Sequence, residues 1–357
     1  MPSTHRNTIR EIADLAGVSI QTVSRVINSR PDVSPATRQR VMEIIEQTGY
    51  QPSATARSLA SRRTYTLGLV ATDFADYWFA KVLTGAEREA HALGYYFMLG
   101  SASSTPAREP KFLRLLTERH VEGVLFVHAG LAAEFDDIER LKASSLPVVM
   151  IGYYLPNSGL ATLDVDNFNG GRKATDHLLH LGHTRIAMLA GPSEWHSARQ
   201  RSAGYEHALK SAGLPVLPEL VVGCTWLHQS GYLGMQTLLH RRVPFTAVFA
   251  HNDRIARGAI SALHQAGLRV PDDVSIIGYD DIPEAEFSEP SLTTIRQPME
   301  EIGRAGTRLL IELIGRRAAG PGQALFDTEL IERASCAPPS RCEVTQRAAP
   351  ANPACVQ

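Results

Sequence analysis

From Tyr65 onward the chain alternates unbroken Val/Ile/Leu runs with amphipathic stretches of helical period, which narrows the fold more than any other feature. The runs are TLGLVAT (66–72), YYFML (95–99), GVLFV (123–127), PVVMI (147–151), RIAML (185–189), LVVG (220–223), AVFA (247–250) and VSIIGY (274–279). Helices fit between them at 78–93, 170–181, 198–212, 253–267 and 299–314. Strands without polar alternation must be covered on both faces, which predicts an α/β architecture of doubly wound parallel sheets. About 270 residues is large for one such core, so two lobes are expected. One takes about 64–162 and 292–325, the other about 163–291 and 326–333. Two open α/β lobes bring their strand ends to a shared cleft, where ligands collect.

The first 63 residues have a different texture. Thr8 and Glu11 have capping-box spacing, and Ile9, Ile12, Ala13 and Ala16 follow on one helical face. Gly17 breaks that helix, and Ser19 caps a second with Val23, Val26 and Ile27 inward. Ser34 and Pro35 start a third, with Val41, Ile44 and Ile45 inward and Gly49 as its stop. Two short helices across so tight a turn form a helix-turn-helix over residues 1–51. The outward face of the second helix carries Ile20, Gln21, Ser24, Arg25 and Asn28. Arg suits guanine O6/N7, Gln suits adenine N6/N7, and an aliphatic tip suits a thymine methyl. Ser19, Ser24, Asn28, Ser34 and Thr37 offer small donors to phosphates. Residues 52–63 read either as a marginal hinge helix with Leu59 as a minor-groove wedge, or as a plain Ser/Ala/Arg linker.

Charge supports this division. The net charge is −1, yet residues 1–63 hold nine Lys/Arg, all Arg, against five Asp/Glu, leaving 27 against 32 in the remainder. A basic head is thus joined to an acidic body. After Met1, PSTHRNTIREIAD has charges where a signal peptide needs an apolar core, and no apolar run reaches the roughly 18 residues of a membrane span. A soluble cytoplasmic protein without membrane association is the expectation. The four cysteines form no C-x-x-C pair and no disulfide framework.

Polar and aromatic residues fall at the ends of the body's strands: Asp73, Phe74, Tyr77 and Phe79, then Asp166, then Trp195, Arg199 and Arg201. Trp226, Asn252, Asp253, Asp280 and Asp281 follow later strands. Bidentate hydrogen-bonding groups and flat rings are what a neutral polyol needs, although an Asp at a strand end also caps helices.

AGVSIQTVSRVIN, VSPATRQRV and GYQPSATARSLAS together resemble the DNA-binding head and hinge of the lactose-repressor (LacI/GalR) family, and the resemblance runs from about residue 8 to 333. It implies that Ile20, Gln21 and Arg25 read bases, and that Ala56 and Leu59 enter the minor groove at the centre of a palindromic operator on double-stranded DNA. Thr8, Tyr50 and Ser53 join the DNA-facing set; Ser53 stands where the family often has Asn. The body resembles the family's periplasmic-binding-protein-like effector domain. By that resemblance, Arg201 in SARQRSAGYEHAL, Asn252 in HNDRIARGAI and Asp280 in GYDDIPEAE contact ligand. Trp226 matches a stacking ring of sugar-responsive members, and Phe79 matches a cleft aromatic. Trp195 sits in a GPSEW segment that looks like members responding to plant-derived or galactoside-type oligosaccharides. With Asp73 and Asp166 these residues make the candidate effector site.

The implied protein is a homodimeric regulator, a repressor of sugar-use genes, with a small saccharide as the leading effector and a purine or phosphosugar as the alternatives. Its rivals are a transport-type sugar-binding protein and a carbohydrate-active enzyme, the latter suggested only by carboxylate pairs such as Asp280 and Asp166. No G-x-S-x-G, H-E-x-x-H, G-x-x-x-x-G-K-[ST] or G-x-G-x-x-G occurs, so no catalytic residue and no cofactor is expected. His177, His180 and His183 read as solvated or capping residues rather than a metal site. Residues 334–357, rich in Pro, Ala and small polar residues, are expected to be disordered.

Overall fold

A computed structural model describes residues 7–28, 30–50, 63–71, 76–101, 116, 118–127, 146–154, 158–315 and 322–340. The chain divides into two units, Met1–Tyr65 and Thr66–Gln357.

In the first unit, helices α1 (Ile9–Ala16), α2 (Ile20–Ile27) and α3 (Pro35–Thr48) share a small core. Ile12, Ala13, Ala16, Val23, Val26 and Val41 are buried there, with Ile9, Val18, Ile44, Ile45 and Tyr50 packed around them. Each start is capped as its sequence demands. Thr8 and Glu11 complete the reciprocal box, while the Ser19 and Ser34 hydroxyls accept from the amides of Thr22 and Thr37. Gly17, at φ 62°, takes the left-handed conformation that lets α2 turn back on α1.

The second unit holds two parallel sheets. The first runs in the order β11-β5-β4-β3-β1-β2, built from β1 (Thr66–Ala71), β2 (Tyr96–Ser101), β3 (Val124–Val127), β4 (Val148–Ile151), β5 (Ala161–Val165) and β11 (Gln323–Phe326). Its helices include α4 (Tyr77–Ala92) and α10 (Met299–Ile314). The second sheet runs β7-β6-β8-β9, from β6 (Ile186–Ala190), β7 (Val221–Gly223), β8 (Ala247–Ala250) and β9 (Ser275–Ile277). Helices α5 (Asn167–His180) and α6 (His196–Ser211) cover one face, and α7 (His228–Arg241) and α8 (Asp253–Gln265) the other. A short α9 (Pro283–Glu286) follows β9. Strand periodicity is visible in the packing. Val124 and Phe126 enter one core while Leu125 and Val127 enter another, and Ala247/Phe249 and Val248/Ala250 divide likewise in the second lobe.

Two expectations are corrected. The second lobe does not begin near Leu163, because β5 pairs with β4 and β11 inside the first sheet. Nor does the first lobe resume at 292. β10 (Thr294–Arg296) pairs antiparallel with β12 (Glu329–Ile331) and bridges β9 through Ile277–Thr293, so the return comes at α10. The expected disorder from 334 is also wrong for the segment up to Ser340. The Ile276 amide donates to the Ser335 carbonyl at 2.8 Å, and the buried Ser335 hydroxyl donates to the Ile276 carbonyl. This segment covers the open edge of β9, an unpaired ladder that otherwise needs a partner.

Candidate ligand cleft and nucleic-acid interface

Where the two sheets end, their loops enclose a cavity of about 310 Å³. Its lining includes Phe79, Trp195, Arg201, Trp226, Asn252 and Asp280, six of the eight residues expected there. Asp73 lies outside the described residues. Asp166 is not among the lining residues: its carboxylate accepts from the Asn169 amide at 2.9 Å and caps α5. The lining residues not foreseen include Asp76, Trp78, Asp164, Asn167, Arg254 and Gln297. Asp164 had a signal, since it puts a carboxylate inside a fully buried strand, two residues before the cap.

Arg201 is the hub. It is 5% exposed, and its Nε donates to Asn167 Oδ1 at 2.9 Å while Nη1 donates to the His251 carbonyl. Its guanidinium lies over the Tyr279 ring at 3.6 Å, a cation–π contact that holds it flat. Of the five N–H groups of a guanidinium these two are committed. The Asp280 carboxylate stands 3.8 Å away, an ion pair rather than a direct hydrogen bond. Gln297 Nε2 donates to Asp280 at 2.6 Å, and Trp78 Nε1 donates to Gln297 at 3.1 Å, which links the first lobe to the second.

Asp280 sits on a strained turn, with φ 111° followed by φ 54° at Asp281. Non-glycine residues there cost on the order of 1–3 kcal/mol each and persist only when over-determined. They are. Asp281 is held by Arg296 and Arg333, both at 2.7 Å, and the Asp280 amide donates to the Ile295 carbonyl.

The electrostatics follow from burial. It pushes Asp280 up to about 7, against the pull of Arg201 and with Asp76 adding to the rise. Asp164 is likewise pushed up to about 7 by burial, opposed by the Val165 amide and Arg201. His251 is held well below its usual value by burial and by Arg201, so its imidazole is neutral. Its Nδ1 accepts from the Gly191 amide at 3.0 Å. Gly191 also makes room for a ring, since a Cβ there would fall on the Trp226 indole. Asn252 caps α8 and donates to the Trp226 carbonyl at 3.2 Å, so it steadies the platform as well as lining the cavity.

In the first unit, Ile20 is 42% exposed, and Gln21, Arg25 and Asn28 are exposed beside it, with Ser24 partly so. Arg25 meets Asp32 at 3.4 Å, a contact between two half-exposed side chains that is weak in water. Thr8, Ser19 and Ser34 are helix caps, Thr37 shares a hydrogen bond with Ser34, and Asn28 bonds back to the Ser24 carbonyl. Tyr50 is half-buried against the head core. Ser53, Ala56 and Leu59 lie outside the described residues. The three histidines are accounted for by their neighbours: His180 bonds to the Asp176 carbonyl, and His183 is wedged among Thr246, Ser275 and Ala337. His177 is half-buried, and burial lowers its pKa. Among the described residues no helix is long and apolar enough to cross a membrane.

Known proteins share both units. The family described as bacterial regulatory proteins, lacI family, matches residues 8–53, and a periplasmic binding protein-like domain matches residues 175–336. The HTH-type transcriptional regulator CelR of Thermobifida fusca is 37% identical over 344 residues, spanning 94% of this chain and 100% of its own. A solved CelR–cellobiose complex is similar with a TM-score of 0.71 at 35% identity, covering 92% of this chain and 100% of that one. The Lac repressor dimer bound to operator and the anti-inducer ONPF gives a TM-score of 0.86 at 27% identity, covering 93% and 99%. The head, the two-lobed body and these relationships agree: the chain belongs to the lacI family, and it is a DNA-binding transcriptional regulator, not an enzyme.

Proposed function

We propose that the protein is a cytoplasmic, homodimeric repressor whose grip on a palindromic operator is switched by a small saccharide bound between the lobes. One observation carries the saccharide reading. The chain has three tryptophans, and Trp78, Trp195 and Trp226 all line the one cavity that holds Arg201 and Asp280. Rings offer flat faces to sugar C–H groups, while the Arg and Asp side chains pair with hydroxyls. The CelR structure that holds cellobiose supports the same ligand class.

On the DNA side, Ile20, Gln21 and Arg25 are the base readers, with Ser19, Ser24, Asn28, Ser34, Thr37, Thr8 and Tyr50 positioning the head on the backbone. Ser53, Ala56 and Leu59 are assigned the hinge contacts, Leu59 as the wedge. A two-fold symmetric dimer explains a palindromic site. Exposed apolar residues on both lobes favour it, Leu93, Tyr96 and Leu99 on the first and Phe287 on the second. A coupling energy of about 1–3 kcal/mol between cleft and head suffices to change operator occupancy severalfold or more.

Calorimetry against mono- and disaccharides, with the recovered sugar checked by chromatography, tests the reading. Stoichiometric binding of unchanged sugar is expected. Arg201→Ala is expected to lose the response to sugar while still occupying operator, because the guanidinium lines the cleft and the base readers are on α2. Normal induction of Arg201→Ala would put the effector elsewhere.

A further inference from the structure

Three consecutive residues where α4 begins reach across to the second lobe. Asp76, the cap of α4, meets Arg254 of α8 at 3.6 Å. Tyr77 packs against the cores of both lobes. Trp78 Nε1 donates to Gln297, which in turn donates to Asp280. All three are contacts between protein side chains, so they draw the lobes together whatever the cleft holds.

The Asp76–Arg254 pair stands out because the fold has no other use for the arginine. Arg254 is the second residue of α8, where a cation opposes the helix dipole. The start of that helix is already served: Asn252 Oδ1 accepts from the Ile255 amide, and the buried Asp253 carboxylate accepts from the Ile282 amide and the Thr294 hydroxyl. Among the described residues Arg254 makes no hydrogen bond, and Asp76 is its one ion-pair partner. Asp76 divides its two oxygens. Oδ1 accepts from the Trp78 amide at 2.9 Å and caps α4, while Oδ2 faces Arg254. Each side chain is 26% exposed, so the pair is better shielded than one on open surface, where an ion pair is worth little. We propose that Asp76 and Arg254 form an electrostatic clasp between the lobes, two positioning residues that set how far the cleft stands shut and so how readily effector enters and leaves. This rests on the cleft being the effector site, and not on the effector being a saccharide. Hydrogen bonding at Trp78 and packing at Tyr77 align the lobes at short range, whereas a charge pair acts from further away and is weakened by salt. Breaking it shifts the balance between open and closed forms without altering either sheet.

Acrylamide quenching of tryptophan fluorescence on the full chain reads the clasp with no sugar added, since Trp78, Trp195 and Trp226 all line the cleft. Asp76→Asn keeps the cap, because Asn caps helices as well as Asp does, and Arg254→Gln removes the charge on the other side. At low ionic strength each is expected to raise the quenching constant by about 1.5-fold or more over wild type. The double variant is expected to rise no further than the larger single, because partners in one contact are not additive. Arg254→Lys, which keeps the charge, is expected to stay within about 1.2-fold of wild type, and about 0.5 M NaCl to bring wild type up to the level of Arg254→Gln. The quencher is neutral and the salt arm uses unaltered protein, so a poorly folded variant does not decide the outcome. Lys210→Gln, which breaks the exposed Lys210–Glu206 pair on α6, is expected to change nothing. Single variants that quench like wild type, or singles whose effects add in the double, would overturn the clasp and leave the saccharide reading standing. A sugar panel that failed to bind would sink the saccharide reading alone, because the quenching arms contain no sugar.

Discussion

Asp164 is the residue whose chemistry was hardest to foresee. Its folded-state pKa of about 7 lies above the ordinary carboxylate value of 3.8, so between those pH values the folded chain holds a proton that the unfolded chain has lost. Stability therefore falls as pH rises through that window, and the full cost is present above it. Burial raises Asp280 in the same sense. Replacing Asp164 by Asn removes the titration while keeping the shape. At pH 8, Asp164→Asn is expected to be more stable than wild type, by on the order of a few kcal/mol at most. At pH 5, where the wild-type carboxyl is protonated in the folded state but still largely ionised in the unfolded one, the gap is expected to narrow, and it closes only below the ordinary value of 3.8. Urea unfolding followed by tryptophan fluorescence reads this directly, since every tryptophan lines the cleft. A stability difference that stayed constant with pH would mean that Asp164 is ionised throughout. The sequence showed Arg201, Asp280 and Trp226 because each follows an apolar strand. It pointed to Asp166 rather than Asp164 because a carboxylate at a strand end looks alike whether it caps a helix or faces a ligand. Trp78 and Gln297 depend on how the lobes meet, which no local pattern carries.

At the scale of elements, apolar periodicity was a good guide wherever burial was complete. Strands β1, β3, β4, β6 and β8 and helix α10 lie within a residue or two of their expected spans. Helix α7 was not among the named spans: in HQSGYLGMQTLLHR two glycines stand on the buried face, so the apolar period is faint. Those glycines show what the pattern hid. Gly231 and Gly258 meet at the crossing of α7 and α8, Gly171 and Gly204 at α5 and α6, and Gly85 and Gly303 at α4 and α10. In each case a Cβ would strike the backbone of the partner helix. Strands β10 and β12, at three residues each, are too short for any period to register. Gly303→Ala is thus expected to cost about 1–3 kcal/mol, as over-packing against a backbone carbonyl does. Gly223→Ala, whose Cβ meets nothing within 4 Å, is expected to stay within about 0.5 kcal/mol of wild type. Thermal unfolding of the two variants side by side checks this, and an equal loss in both would mean that the helix crossing has slack.

For the whole molecule the question is how two heads come to act as one, and the exposed apolar residues bear on it. Phe287 is 83% exposed directly after α9, an unusual position for a large ring unless something covers it. Ser288 and Glu289 lie with it along a groove lined by His228, Tyr232 and His264, on the α7/α8 side of the second lobe. In a two-fold dimer the same patch is used by both copies, so a single substitution is felt twice. Burying one such ring contributes about 1.5–3 kcal/mol, and placing a carboxylate there adds a desolvation cost. Phe287→Asp is therefore expected to raise the dimer dissociation constant by at least about 100-fold, the equivalent of roughly 3 kcal/mol over the two copies. Each folded subunit should still bind sugar, because Phe287 is not among the residues lining the cleft. Operator binding should become steeply dependent on protein concentration, since a palindrome is held by two heads and a lone head leaves half of it unread. Sedimentation velocity together with operator titrations at two protein concentrations measures both effects. A variant that remains dimeric and grips operator normally would place the two-fold axis elsewhere, with the Leu93, Tyr96 and Leu99 face of the first lobe as the next surface to break.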